Sequence, residues 1–430
     1  MKRLKTLWYY WTSTKRKFKS RDALEQFQQQ QFSKFKTQVL SQSPYFRQFL
    51  HIPLAEWPRM DKPLMMQHFD AMNTAGLKKD RLFRCALDSE RSKDFSSKVG
   101  KYSVGLSSGT SGQRGLFVVS PEEQQLWAGS ILAKLLPNGL FAKERIALFL
   151  RADNHLYQSV NSHWLSLNFF GLFENFQQQL TKLSAYQPTI IVAPAQVLTA
   201  MAKEKLAGRL NISPKKVISA AEVLDAQDRA ILAQAFDQIG EVYQATEGFL
   251  AATCAHGTLH LNEESLIVEA EWLDEHRFVP IITDFSRKTQ PIVRYRLDDI
   301  LLRDPTPCLC GSHSMAIAAI EGRQDDQILL KDASGKEMTI FADYCSRIIA
   351  QTLPLDSDYR LIQKEQNVFE LIACCERAAL MACTENLSQY FKTQGANIAN
   401  LSWKITSVSD IPVDFTLKRR RIIRQRWTCE

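Results

Sequence analysis

Nowhere does the chain sustain the roughly 18 consecutive apolar residues that a membrane-crossing helix needs, which argues against a protein built on such helices. It has no marked excess of charge either. Of its 430 residues 45% are hydrophobic and 23% charged, proportions that exclude a disordered polyelectrolyte or a collagen-like chain. At a typical domain size the length allows about three folding units. A disulfide framework is also missing: the nine cysteines (Cys85, Cys254, Cys308, Cys310, Cys345, Cys374, Cys375, Cys383 and Cys429) are odd in number and scattered, so reduced thiols are expected. There is no internal repeat and no long linker. Neither a GxxxxGK[ST] nor a GxGxxG spacing occurs, which removes the Walker-type and Rossmann readings of nucleotide binding.

Acidic residues are absent from the first 21 positions. That stretch carries Lys2, Arg3, Lys5, Lys15, Arg16, Lys17, Lys19 and Arg21, eight cations that equal the whole net charge of +8 (54 Lys and Arg against 46 Asp and Glu). The remainder is neutral, so the folded body is not expected to carry the basic stripe of a nucleic-acid reader, and no nucleic-acid partner is expected. Trp8, Tyr9, Tyr10 and Trp11 sit among the cations. The apolar run is too short for a signal-peptide core and no small-residue cleavage site follows, so the expected compartment is the cytoplasm. Two readings stay open for this segment: a solvated tail, or a docking element for an anionic surface, either membrane headgroups or an acidic carrier protein.

Ala23 to Leu50 favours helix, with apolar Leu24, Phe27, Phe32, Phe35, Val39 and Leu40 on a partly helical period and a break at Ser43-Pro44. Between about 100 and 300 short apolar runs alternate with helical patterns. Ile146–Leu150, Thr189–Val192, Lys216–Ser219 and Glu241–Tyr243 read as strands; Glu122–Leu136, Ala195–Ala207 and Ala226–Ile239 read as helices. That alternation predicts an α/β sheet with helices on its faces. Beyond about residue 323 strands around Gln327–Leu330, Tyr359–Lys364 and Val368–Ala373 lie between helices at Phe341–Gln351 and Ala378–Thr393, a smaller α+β unit. Three parts are expected: a basic helical extension (1–43), a large body (44–322) and a C-terminal unit (323–430).

The most distinctive local segment is Ser107-Ser108-Gly109-Thr110-Ser111-Gly112-Gln113-Arg114-Gly115. Its glycines let the backbone curl and present N–H groups, and its hydroxyls add donors, so it could cradle phosphates as a nest does; the alternative is a Ser/Gly-rich surface loop. Other motifs follow in order: Tyr243-Gln244-Ala245-Thr246-Glu247-Gly248, Thr283-Asp284-Phe285, Pro291 to Asp299, and Gly322-Arg323-Gln324-Asp325-Asp326. This series resembles the core motifs of the adenylate-forming superfamily of acyl-CoA synthetases and adenylation domains. Pro44-Tyr45-Phe46-Arg47, Cys308-Leu309-Cys310-Gly311 and the short length are most similar to its phenylacetate-CoA ligase branch, which also holds capsule-cluster homologues.

The resemblance, spanning about residues 44 to 425, implies an adenylate-forming fold with a large N-terminal α/β body and a small C-terminal lid. The implied reaction joins a carboxylic acid to ATP, with Mg²⁺, to give an acyl-adenylate and pyrophosphate, then passes the acyl group to the thiol of CoA or of a carrier protein. It implies that Ser107, Ser108, Gly109, Thr110, Ser111, Gly112, Arg114 and Gly115 hold the β- and γ-phosphates, with Arg114 where the family commonly has Lys. By the same resemblance Thr246 contacts the α-phosphate and Glu247 ligates Mg²⁺, a hard cation suited to a carboxylate. Tyr243 would stack on adenine, and Asp299 would bind the ribose with the help of Arg323. Ala220-Ala221-Glu222 stands where the family has Gly-Gly-Glu, and Leu297-Asp298-Asp299 where it has Thr-Gly-Asp. Lys418, in Ile411-Pro412-Val413-Asp414-Phe415-Thr416-Leu417-Lys418-Arg419-Arg420-Arg421, would be the mobile lysine bridging carboxylate and α-phosphate. The alternative is a solvated basic patch. Asp325 would be the hinge of the lid.

Cys254, His260, Cys308 and Cys310 could close a Cys3His zinc site, or be ordinary free thiols beside a histidine. The acid pocket would fall near Asp153, Asn154, His155 and Tyr157 with Phe169, Phe170 and Phe173, an aromatic run that suits an aryl or other apolar acid or is ordinary core. Two further functional readings remain: nucleotidyl transfer with an adenylylated product, and a scaffold that keeps the fold without the chemistry.

Overall fold

Lys216-Val217-Ile218-Ser219-Ala220 and Ile190-Ile191-Val192-Ala193 read as near-continuous apolar runs, the pattern of strands covered on both faces, and they pair in parallel within the main sheet. The computed structural model describes residues 2–92, 98–106, 114–136, 139–150, 161, 164–323 and 327–425. Helices α1 (Lys2–Lys15), α2 (Arg21–Gln38), α3 (Pro44–Arg47), α4 (Lys62–Met72) and α5 (Lys79–Ser92) lead into a small antiparallel sheet of β1 (Lys98–Val99), β2 (Tyr102–Leu106) and β3 (Leu116–Val119), followed by α6 (Pro121–Leu135).

The parallel half of the main sheet is built from β4 (Glu144–Leu150), β5 (Leu165–Gly171), β6 (Ile190–Ala193), β7 (Lys216–Ala220) and β8 (Ile239–Gln244), with α7 (Phe176–Tyr186), α8 (Ala195–Leu206) and α9 (Ala226–Ala235) between them. An antiparallel half continues it: β9 (Phe249–Thr253), β10 (Leu259–Leu261), β11 (Leu266–Trp272), β12 (Arg277–Asp284), β13 (Ile292–Arg296), β14 (Asp299–Asp304) and β15 (Ala316–Arg323). The strand order is β11-β12-β14-β15-β10-β9-β8-β7-β6-β4-β5, with β13 added on β12. All five parallel strands point the same way, so their carboxyl ends share one rim of the sheet, where ligands of open α/β sheets gather.

The C-terminal part has its own core. It comprises the hairpin β16 (Ile328–Lys331) and β17 (Glu337–Ile340), then α10 (Ala342–Thr352), β18 (Tyr359–Glu365), β19 (Val368–Ala373), α11 (Arg377–Thr393), β20 (Ser402–Ser407) and β21 (Ile422–Arg424), the last four strands in the order β20-β19-β18-β21. Leu361, Phe369, Leu371, Leu380, Leu387 and Phe391 are fully buried within it.

The expected strands and helices fall within a few residues of those observed, with two informative differences. The helix expected over Ala226–Ile239 stops at Ala235 because Phe236 turns extended and Ile239 already pairs with β7; sheet pairing overrides local helix preference. The helix expected from Ala23 starts earlier, capped by the Ser20 hydroxyl accepting from Ala23 N, and ends at Gln38 before the α3 turn.

Candidate active site and metal centre

At the carboxyl end of β7 the chain turns through Ala221, which adopts a left-handed φ of 68°, a conformation glycine takes more readily. The turn delivers Glu222 to the start of α8. There its carboxylate accepts from Gln196 N at 3.2 Å, Gln196 Nε2 at 2.8 Å and Arg419 N at 3.3 Å. Burial pushes the Glu222 carboxyl up; these bonds and the nearby charges of Arg419 and Lys418 oppose the shift.

At the end of β8 the Tyr243 hydroxyl donates to Asp299 Oδ2 at 2.6 Å. Asp299 opens β14 directly opposite Arg323 on β15. The fold therefore gathers Tyr243, Asp299 and the Arg323 backbone, residues read as nucleotide contacts, from three separate motifs. Beyond Tyr243, Ala245 and Gly248 exchange backbone hydrogen bonds at 3.0 and 3.3 Å, closing a tight turn. On it the Thr246 hydroxyl donates to Glu247 Oε2 at 2.8 Å, and Glu247 is 8% exposed. Tyr295 faces the same carboxylate; burial, then the Glu247 charge, push its hydroxyl up.

A buried charge cluster lies behind this turn. A Cβ on Gly248 would stand 2.4 Å from Asp284 Oδ2, so only glycine lets the turn approach β12 this closely. Burial pushes the Asp284 carboxyl up to about 6, against a hydrogen bond from Ser286 N at 2.7 Å. Arg287 is fully buried over the Trp127 ring at 5.2 Å, with Nη2 donating to Val118 O and Gln290 Oε1. Its Nε and Nη1 find no hydrogen-bond partner among the described residues. Burial lowers its pKa, while the charges of Glu123, Asp284 and Glu247 hold it up. Glu123, in the capping box of α6, in turn accepts from Lys288 N, Thr289 N and the Thr289 hydroxyl. Arg287 thus links β3, the strand leaving the Ser/Gly-rich loop, to the Glu247 turn.

The C-terminal segment comes to the same rim. Phe415 packs on Phe176 of α7 at 4.8 Å, and the Leu417 carbonyl accepts from Gln196 Nε2 at 2.7 Å. Arg419 binds Asp228, and Arg421 binds Asp225, Asp228 and Asp358, the last two at 3.2 Å. Asp228 is fully buried and the Arg419 and Arg421 side chains are 10% and 7% exposed. For these two arginines the solvated-patch reading is overturned: three carboxylates cover them. Lys418, between the anchored Leu417 and Arg419, is held beside Glu222. The sequence reading missed Gln196, Arg287 and the Asp225–Asp228 pair; the run of three arginines was the only trace, and of the acidic pair alone.

A second centre lies between β9 and β15. The candidate ligand atoms of Cys254, His260, Cys308 and Cys310 all fall within 4.8 Å of one another. Cys254 Sγ and Cys308 Sγ are 3.7 Å apart, close to the edge of a tetrahedron with Zn–S bonds of about 2.3 Å. His260 Nε2 lies 3.3 Å from Cys310 Sγ, while its Nδ1 meets the Ser314 carbonyl at 3.1 Å, which fixes the tautomer that leaves Nε2 for a metal. His256 N and Ser312 N donate to Cys254 and Cys310 sulfur. The donor set therefore fits zinc.

Of the remaining predicted residues, Arg114 is half-buried and Gly115 buried at the exit of the loop. Ser107, Ser108, Gly109, Thr110, Ser111, Gly112, Asp153, Asn154, His155, Tyr157 and Asp325 lie outside the described residues. Phe170 stacks on Phe149 at 4.6 Å in the core, whereas Phe173 is exposed.

No protein-family model and no curated protein sequence matches the chain. Among solved structures it is similar to 2-hydroxyisobutyryl-CoA ligase in the postadenylation state with 2-HIB-AMP, at 14% identity over 94% of this chain and 89% of that chain (TM-score 0.65). It is also similar to the amide bond synthetase McbA from Marinactinospora thermotolerans, at 11% identity over 75% and 68% (TM-score 0.53), and to the fatty acyl-adenylate ligases of E. coli and L. pneumophila, at 14% identity over 74% and 68% (TM-score 0.51). The chain has the fold of the adenylate-forming ligases.

Proposed function

We propose that this protein activates a carboxylic acid with ATP, forming an acyl-adenylate and pyrophosphate, and passes the acyl group to the thiol of coenzyme A or of a carrier-protein pantetheine. The observation that carries this reading is the anchoring of Leu417 and Arg419 on Gln196 and Glu222. It presents Lys418 at the rim where β7 and β8 end, one strand from Thr246 and Glu247. Attack of a carboxylate on an anionic α-phosphate needs cations and donors aimed at the developing charge. Lys418 brings a cation that can touch both reactants, and Thr246 a hydroxyl donor.

Tyr243 orients Asp299 for the ribose hydroxyls and offers its ring to adenine, and Arg114 brings a charge to the phosphate loop. Glu247 would hold Mg²⁺: one buried carboxylate suits a cation that keeps waters and substrate phosphate oxygens as its other ligands. Bound there, the metal supplies charge neutralisation on the phosphates. The zinc centre would close with four protein ligands, which suits a structural role. The substrate we favour is an aryl or other apolar acid, and the branch is that of the phenylacetate-CoA ligases. The C-terminal part would act as a lid turning at Asp325.

Mass spectrometry of reactions containing ATP, Mg²⁺, a panel of acids and either CoA or a carrier protein tests the proposal. It predicts an acyl-thioester and AMP. A product that retains AMP and ignores every thiol would replace thioester formation with nucleotidyl transfer.

A further inference from the structure

Among the described residues, the outer face of α1 is left exposed. Its inner face, Thr6, Tyr10 and Ser13, packs on α6: Thr6 and Tyr10 are buried, and the Ser13 hydroxyl meets that of Ser130 at 3.3 Å. The contact is close because Gly129 is there; a Cβ would stand 2.6 Å from Tyr9 Cβ and 2.7 Å from Thr6 O. The helix is thus a fixed part of the body, with a defined outside. That outside carries Leu4, Leu7, Trp8 and Trp11, spaced i, i+3, i+4, i+7, exposed by 70, 41, 60 and 43%. A stripe at this spacing is what a helix normally buries.

The stripe continues onto other segments. Trp11 lies 6.5 Å from Phe141, which meets Trp164 edge-on at 6.0 Å. Phe141 and Trp164 are exposed by 63 and 41%. They precede β4 and β5, so this end of the patch sits at the amino ends of the parallel strands. Lysines frame it. Lys15 lies over the Trp11 ring at 5.9 Å and Lys143 over Trp164 at 5.6 Å, while Lys5, Lys17 and Lys19 are also exposed. The acids nearby are engaged: Glu122 accepts from the Tyr9 hydroxyl, and Glu144 pairs with Lys215.

We propose that Leu4, Leu7, Trp8, Trp11, Phe141 and Trp164, with their flanking lysines, dock the protein on an anionic lipid bilayer. Large aromatic side chains with a polar edge are at home at the headgroup level, and lysines beside them gain from anionic lipid. Leu4, Leu7 and Phe141 carry no polar side-chain atom, so an acidic protein surface would leave them unmatched, whereas the headgroup–acyl boundary takes them in. No described helix is long and apolar enough to cross a membrane, so the contact lies on the surface. Because the patch includes the amino ends of β4 and β5 and the active-site rim lies at the carboxyl ends, docking leaves the crevice open.

The test is co-flotation of the full chain with vesicles of phosphatidylcholine and phosphatidylglycerol, or of phosphatidylcholine alone, at low salt. Quenching of tryptophan emission by brominated lipid gives a second readout on the unaltered chain. Binding to the anionic vesicles with quenching is expected. Trp8→Ser with Trp11→Ser, or Phe141→Ser with Trp164→Ser, should weaken it roughly tenfold or more; these side chains are exposed, so melting should be unchanged. Lys418→Ala should float as the unaltered chain does, which separates this inference from the proposed reaction. No flotation with anionic vesicles, no quenching, or full binding by both aromatic pairs of variants would overturn it. So would capture by an acidic carrier protein without any vesicle binding.

Discussion

Gln196 donates its side-chain amide to the Leu417 carbonyl at 2.7 Å and to Glu222 Oε1 at 2.8 Å. One residue of the body therefore ties down the residue before Lys418 and the carboxylate beside it. Glu222 completes the link by accepting from Arg419 N. The backbone on both sides of Lys418 is thereby held to the body.

The arginine clasp holds this segment down. Removing one partner of a buried ion pair leaves the other uncompensated, at a cost of about 3–5 kcal/mol. Arg421→Ala, which strips a cation from Asp225, Asp228 and Asp358, is expected to cost that much in urea denaturation. Amide exchange over 411–421 should rise. Unchanged stability and exchange would mean that the clasp is not formed in solution.

Gly248→Ala places a methyl 2.4 Å from Asp284 Oδ2, a buried carboxylate whose other oxygen accepts from Ser286 N. A loss of about 1–3 kcal/mol in thermal or denaturant unfolding is expected, with weaker nucleotide binding because Glu247 is the adjacent residue. A variant as stable as the parent would contradict the packing described.

Asp284 gives a pH signature. Its native pKa of about 6 lies above the ordinary 3.8, so between these values the unfolded chain releases a proton that the native state keeps. Its contribution therefore falls as pH rises from about 4 to 6, reaching a penalty of about 3 kcal/mol above that range. Asp284→Asn removes this dependence. Its stability relative to the parent should climb between pH 4 and 6 and then level off; a flat difference would refute the assignment.

Protein purified without chelator is expected to contain stoichiometric zinc. Cys308→Ser and His260→Ala should each lose it and lower the melting temperature, while Cys85→Ser should not. Metal analysis that finds no zinc in the parent would remove the centre.

Four of the five parallel strands were legible because buried strands are continuous apolar runs; β5, which alternates between buried and exposed residues, was not. What escaped was long-range. Arg419 and Asp228 lie 191 residues apart, and nothing local distinguishes an arginine that will be buried from one left in water. Gln196 and Arg287 carry no motif; their roles exist only after the chain folds back. The antiparallel strands β11 to β14 contain charged residues such as Glu269, Glu271 and Arg294, whose cross-strand pairing, as in Arg294 with Glu269 at 2.7 Å, hides the strand pattern. All four candidate metal ligands, Cys254, His260, Cys308 and Cys310, were read from the sequence, but what brings them together is the pairing of β9, β10 and β15, which no local spacing shows.

The central claim is that Lys418, held at the rim by Gln196 and Glu222, serves adenylation. ATP–pyrophosphate exchange with Mg²⁺ across aryl and aliphatic acids, comparing the parent chain with Lys418→Ala, tests it most directly. The account predicts acid-dependent exchange in the parent and a fall on the order of 100-fold in the variant, with ATP still bound. Exchange that survives the substitution intact would contradict it.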